Sequence, residues 1–233
     1  MDMPTAGVSP ETSPDFSMAV VIACSKLKAR CPVAVASRAE LRDPTRPWTR
    51  LQKWETPARD LYRGRQFMTM VRAVDAFRNA RPNVATSLYV VSAGYGLVAE
   101  TQGLVPYEAA LGPRKKDWIR IGRELGMASH VRGAIGSASV AIVALSEPYM
   151  TAAELPADHI ATRVVYLMAG KHVPISNGIA VRAGRPEARA LGTTEREIRG
   201  VILRRLLGLL AERGLSALGT LGDDPLSWPE VVE

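Results

Sequence analysis

Cysteine and histidine are scarce in this chain, two of one and three of the other in 233 residues. Two cysteines, Cys24 and Cys31, cannot form a disulfide framework. No second Cys/His pair lies near them, and His130, His159 and His172 are scattered, so no metal or other cofactor is expected. No apolar run approaches the ~18–20 residues of a membrane span, so no membrane partner is expected. Met18–Cys24 is too short for a signal-peptide core and follows acidic rather than basic residues, which makes the cytoplasm the expected location. Neither a G-x-G-x-x-G fingerprint nor a Walker motif is present, and there are no internal repeats.

What is abundant is positive charge, unevenly spread. Residues 1–17 hold Asp2, Glu11 and Asp15 without a single Lys or Arg. Residues 214–233 hold Asp223, Asp224, Glu230 and Glu233, again without Lys or Arg. The body, 18–213, therefore carries all 30 basic residues against 16 of the 23 acidic ones, a balance of +14. Such a field points to an anionic partner, nucleic acid first, DNA or RNA. The plainer alternative is a basic surface inherited from an arginine-rich proteome.

The Pro/Ser/Thr-rich segment 1–17 reads as a disordered tail, 18–213 as a single domain, and 214–233 as an acidic tail docked in part through Leu226 and Trp228. Four short apolar runs, Ala19–Ala23, Ser87–Val91, Val140–Leu145 and Arg163–Met168, fit strands buried on both faces. Between them lie helical patterns from Pro57 to Arg78 and from Pro113 to Ile135. A last helix is opened by the capping-box pattern Thr194-x-x-Glu197 and stopped at Gly214. This alternation predicts an α/β fold, a three-layer α/β/α arrangement around a central, mostly parallel four-stranded sheet. Residues 29–56, with Pro32, Pro44, Pro47 and Trp48, are too long for a plain loop and read as a lid or insertion.

In open α/β sheets ligands bind at the carboxyl ends of the strands, so the loops leaving the runs are the candidate site. Cys24-Ser25-Lys26-Leu27-Lys28 follows the first run. Cys24 is a candidate catalytic group, and Ser25, Lys26 and Lys28 candidate substrate cradles, through backbone N–H groups and lysine charge. The bland alternative makes Cys24 a small core residue. Asp60 is a candidate orienting carboxylate or base, or simply a first-turn acid, and Tyr62 a stacking group or a core aromatic. In Ser92-Ala93-Gly94-Tyr95-Gly96-Leu97 the glycines permit positive φ or close approach around Tyr95, a candidate platform for a flat base, with Tyr107 the candidate to complete that wall; the bland alternative is a tight turn with a half-buried tyrosine. Glu147, after the third run, is a candidate proton acceptor or a solvated loop acid. Arg114, Lys115, Lys116 and Arg120, with Arg196 and Arg199, are candidate phosphate-backbone contacts, or solvated helix faces.

Taken in order, Cys24-Ser25-Lys26-Leu27-Lys28, Ala58-Arg59-Asp60-Leu61-Tyr62, Ser92-Ala93-Gly94-Tyr95-Gly96-Leu97 and Pro106-Tyr107 resemble the motifs of an uncharacterised bacterial and phage domain family. That family is distantly similar to YaaA-like peroxide-stress proteins, to the Pro-Cys-Ser domain of archaeosine-forming tRNA enzymes and to the uracil-DNA-glycosylase type of fold. The resemblance, over residues 18–170, implies recognition or modification of a base in DNA or RNA. Two departures stand out: Ala23 replaces the proline of the archaeosine-type motif, and the Asp-Pro-Tyr-His loop of uracil glycosylases is absent, against simple uracil excision. The expectation is an enzyme processing a nucleobase or nucleoside, glycosylase-like or base-modifying. The alternatives are a non-catalytic nucleic-acid-binding module of stress or defence and an enzyme for a free phosphorylated nucleoside.

Overall fold

The computed structural model describes residues 16–29, 35–43, 49–157, 160–168, 175 and 178–229. Readings that fall on 1–15, Cys31, Pro32, Pro44, Pro47, Trp48, His159, His172 and 230–233 lie outside these residues.

The four apolar runs form strands, with two more beside them. β1 (Ser17–Ala23), β2 (Ala85–Ser92), β3 (Gly96–Ala99), β4 (Val140–Ala144), β5 (Arg163–Met168) and β6 (Gly178–Arg182) make one sheet, ordered β6-β5-β4-β1-β2-β3. All neighbours run parallel except the β2–β3 hairpin. The sheet is thus six-stranded and mixed, not four-stranded. β3 and β6 escape a reading based on apolar runs because Gly96 and Gly178 open them and each is only partly buried, as edge strands are.

The alternating side chains of the central strands build two cores. Met18, Val20, Ile22, Val90, Ile142 and Leu167 face α1 (Arg65–Ala80) and α6 (Ile198–Arg213). Ala19, Val21, Val91, Val143 and Tyr166 face α2 (Lys115–Glu124), α3 (Met127–Gly136) and α4 (Glu147–Ala152), and a short α5 (Arg185–Ala190) follows β6. No helix among the described residues is long and apolar enough to cross a membrane.

The helix starting at Pro57 is interrupted. Ala58–Leu61 is one turn, and the chain then extends through Tyr62 before α1 begins. Backbone bonds from Ala29 N to the Leu61 carbonyl (2.7 Å) and Arg63 N to the Leu27 carbonyl (2.9 Å) hold that interruption against the loop after β1. The second helical stretch also divides, at Gly126, whose φ of +60° breaks α2 from α3. The Thr194–Glu197 capping box does not form: Glu197 N and Ile198 N both bond the Thr194 carbonyl in a turn, and α6 starts without a side-chain cap. Gly214 ends α6 as expected.

At the N-terminal end the described residues are packed rather than free, and at the C-terminal end one of the two expected docking residues is buried. Phe16 is buried and Ser17 begins β1. At the other end Trp228 is buried, donating its indole N–H to the Gly222 carbonyl at 3.1 Å, whereas Leu226 stays exposed. Arg182 on β6 pairs with Asp224 at 2.9 Å, so an acidic residue of this segment meets the basic body directly. The described parts of 29–56 are structured. Ala36–Ser37 pairs with Tyr107–Glu108, and Thr56–Pro57 with Gly103–Leu104.

Two glycines test the packing. A Cβ on Gly122 in α2 would lie 2.0 Å from the Ala152 carbonyl oxygen, a backbone atom that cannot swing away, whereas exposed Gly133 in α3 has nothing within 4 Å. Gly122→Ala is expected to lower unfolding free energy by about 1–3 kcal/mol, and Gly133→Ala to raise it by about 0.5–1 kcal/mol. Urea denaturation of the two variants in parallel measures both.

Candidate functional site

The strand order reverses at β1. The connection through α1 carries the chain to β2 on one side, and the later connection through α2 and α3 carries it to β4 on the other. In open α/β sheets this switch point, between the carboxyl ends of β1 and β4, is where a ligand crevice forms. Two side chains meet across it: Cys24 Sγ, just after β1, lies 3.1 Å from the Tyr149 hydroxyl on α4. Cys24 N continues the β1 ladder to the Val91 carbonyl at 3.0 Å, which fixes the thiol at this edge.

Beside that pair lies a buried hydroxyl network. The Tyr107 hydroxyl is 2.8 Å from that of Tyr62 and 2.7 Å from Ser92 Oγ. Ser92 Oγ also accepts from Gly94 N and Tyr95 N, both at 3.1 Å. The rings interlock edge-to-face, Tyr95 on Tyr107 with centroids 5.1 Å apart and Tyr62 on Phe67 at 5.2 Å. Lys28 Nζ sits 4.4 Å above the Tyr107 ring centroid. Gly94 is required for this contact: a Cβ there would be 2.6 Å from Tyr107 Cε2. Gly96 holds φ at +75° and turns the β2–β3 hairpin.

The predicted loops thus converge, in roles partly different from those expected. Tyr62 and Tyr107 are fully buried, so their faces are not platforms for a base; they are core, with hydroxyls spent on each other and on Ser92. Tyr95 is half-buried, and its hydroxyl donates to the Val105 carbonyl at 3.1 Å. Ser25 Oγ accepts from Gly64 N (3.0 Å) and donates to the Leu27 carbonyl (2.6 Å), shaping the loop rather than facing a ligand. Lys26 is exposed at the loop tip beside Leu27, itself 62% exposed.

Asp60 and Glu147 do not join the cluster. Both are exposed, and neither makes a hydrogen bond or ion pair with a described residue. The reason is helical phase. At about 100° per residue, buried Ala58 and Leu61 turn Asp60 outward, and Tyr149, facing the crevice, leaves Glu147 two residues earlier on the far side. Tyr149 is the residue the sequence reading passed over. Its signal was its place in Ser146-Glu147-Pro148-Tyr149, where the carboxylate drew the attention. Arg38 was also missed. From the insertion it donates to the carbonyls of Ala93 and Ala110, and its Nε is buried without a partner among the described residues.

The basic residues divide. Lys115, Lys116 and Arg196 are exposed without ion pairs to described residues, while Arg114 pairs with Asp117 at 3.2 Å and Arg120 with Glu124 at 2.6 Å. Arg199 is no outer-surface contact: it is buried, with Nε donating to the Leu167 carbonyl at 3.2 Å.

Burial pushes the hydroxyls of Tyr62, Tyr107 and Tyr149 above the usual tyrosine range, with the nearby Cys24 adding to the effect in all three. Burial likewise pushes Tyr95 up to about 12. The neutral phenol is the form the fold accommodates. Among the described residues no group of three His, Cys, Asp or Glu side chains is placed to hold a metal. The chain matches no family model, no curated protein and no solved structure.

Two predictions follow from the network. Tyr107→Phe removes the hydroxyl that both Tyr62 and Ser92 use and is expected to cost about 1–3 kcal/mol, whereas Tyr62→Phe leaves Tyr107 bonded to Ser92 and costs less. Chemical denaturation ranks them. Because these folded-state pKa values lie above the unfolded value of about 10, their stability contribution is complete below pH ~10 and is lost as pH rises through the folded values. Denaturation midpoints taken between pH 8 and 12 should decline from ~10 upward.

Proposed function

We propose that this chain is an enzyme that recognises and processes a nucleobase or nucleoside in DNA or RNA, at the crevice between β1 and β4. The observation that carries this reading is the Cys24–Tyr149 contact at 3.1 Å, at the point where the strand order reverses. Exposed cations lie on the loops and helices around the sheet: Lys26 on the loop after β1, Lys115 and Lys116 at the start of α2, and Arg196 before α6. Four contiguous parallel strands, β2-β1-β4-β5, with helices on both faces support kinship with the uracil-DNA-glycosylase type of fold. β3 and β6 extend the sheet beyond that four-stranded core.

In this reading the tyrosine network is the rigid wall, and Cys24 with Tyr149 supplies the polar edge that meets the substrate. The thiol and the phenol each offer a donor and an acceptor, which suits the carbonyl and ring-nitrogen edge of a base. The exposed lysines and Arg196 hold the strand by its phosphates.

A second reading, a non-catalytic nucleic-acid-binding module, is favoured by one observation: the two candidate carboxylates, Asp60 and Glu147, lie outside the crevice. Two variants separate the readings. Cys24→Ala should abolish the change in host nucleosides seen by mass spectrometry when the gene is present, a loss of about 100-fold or more, with oligonucleotide affinity within about twofold. The double variant Lys115→Gln/Lys116→Gln should weaken oligonucleotide binding and flatten its salt slope by about 2. A nucleoside profile that does not differ between cells with and without the gene, alongside steep salt-dependent oligonucleotide binding, establishes the module reading instead.

A further inference from the structure

Next to the crevice lies a cleft of about 750 Å³, lined by Gln66, Ser146, Thr194, Glu195, Arg196 and Arg199. Its position follows from the topology. Ser146 leaves β4, Gln66 is the second residue of α1, and Arg199 the second of α6. Two 16-residue helices therefore point their amino ends at one cavity, and neither start carries a side-chain cap. The positive ends of helix dipoles favour an anion; at α6 the N–H groups of Ile198, Gly200 and Val201 already bond the Thr194 and Glu197 carbonyls, so the pull there is that of the dipole.

Three side-chain observations support the same assignment independently. Arg199 is only 8% exposed, yet it is not consumed: Nε donates to the Leu167 carbonyl, and no described residue accepts from its two terminal nitrogens. Burying a guanidinium is costly unless its charge is met. The one carboxylate at the cleft, Glu195, is exposed and shared with Arg185 at 3.3 Å. Arg196 adds a second, exposed cation with no ion pair to a described residue. Finally, Gln66 Oε1 is buried with no donor among the described residues, an acceptor that a ligand hydroxyl or N–H would satisfy.

We propose that this cleft is a phosphate subsite, in which Arg199 and Arg196 hold a phosphoryl group and Gln66 accepts from a sugar hydroxyl or base N–H of the same nucleotide. The inference builds on the nucleoside reading above and extends it: Ser146 and Tyr149 are three residues apart, about 4.5 Å of helix rise, so a single nucleotide spans the cleft and the Cys24–Tyr149 pair. The volume is that of a small-molecule site. The phosphate has two possible sources, a free nucleotide or a diester in a strand.

Calorimetry on the full chain at low salt tests this, with the four common ribonucleoside monophosphates, their nucleosides, inorganic phosphate and a trinucleotide as probes. A monophosphate or the trinucleotide should bind about tenfold or more tighter than the matching nucleoside. Arg199→Gln and Arg196→Gln should each erase most of that difference while leaving nucleoside affinity within about twofold. Arg196 has no described partner to lose, so it keeps the test open if Arg199→Gln fails to fold. Tighter binding of the trinucleotide assigns the phosphate to a strand; tighter binding of the monophosphate assigns it to a free nucleotide. If the phosphate adds nothing to wild-type affinity, or its contribution survives in both variants, the subsite is refuted, and nucleoside binding leaves the broader reading intact. If neither nucleoside nor nucleotide binds, yet inorganic phosphate raises the Tm of the wild type and not of the variants, the anion site stands and the nucleoside reading falls.

Discussion

One hydroxyl, that of Tyr107, ties together the candidate site's edge of the sheet. It bonds both Tyr62 and Ser92 in a fully buried setting, where an unmet hydroxyl costs far more than a met one contributes. Those partners come from the break before α1 and from the end of β2, and Tyr107 itself pairs by backbone with Ala36 of the 29–56 segment. Three stretches remote in sequence are thereby held in one register. The ring of Tyr107 sets the next layer: it forbids a side chain at residue 94, receives the edge of Tyr95 and lies beneath Lys28.

That wall also decides what remains open. The hydroxyls of Tyr62 and Tyr107 are satisfied inside the buried wall, so under the proposed function the candidate polar groups of this edge are the part-buried Cys24–Tyr149 pair and the cleft beside it. The electrostatics divide in the same way. Glu100 is buried between Arg59 and Arg78, at 2.9 and 2.5 Å, and serves the fold. The acidic C-terminal segment neutralises Arg182. The cations without ion pairs to described residues include Lys115, Lys116 and Arg196 on the surface and the buried Arg199, so the +14 of the body is less a uniform coat than a set of discrete positions.

The fold was legible wherever burial was two-sided. Ala19–Ala23, Ser87–Val91, Val140–Leu145 and Arg163–Met168 carry continuous apolar runs because both faces of the central strands are covered. β3 and β6 at the sheet edges have no such requirement and left no such signal. The site was legible as a set of loops, since the carboxyl ends of parallel strands share one edge. It was not legible as roles, because a residue's role there depends on helical phase and on partners far along the chain.

The sequence by itself determined the α/β class, the central parallel strands, the basic body and the loops at Cys24, Tyr62, Ser92 and Tyr107 that meet at one edge. These rest on local periodicity and on the short-range chemistry of turns. Only the tertiary structure decided that Tyr62 and Tyr107 are core, that Asp60 and Glu147 face solvent, and that the buried Arg199 lines one cleft with Gln66, whose Oε1 has no partner among the described residues. Those outcomes depend on which hydroxyl finds which partner over separations of 45 residues, as from Tyr62 to Tyr107, or 125, as from Cys24 to Tyr149. No local pattern encodes such distances.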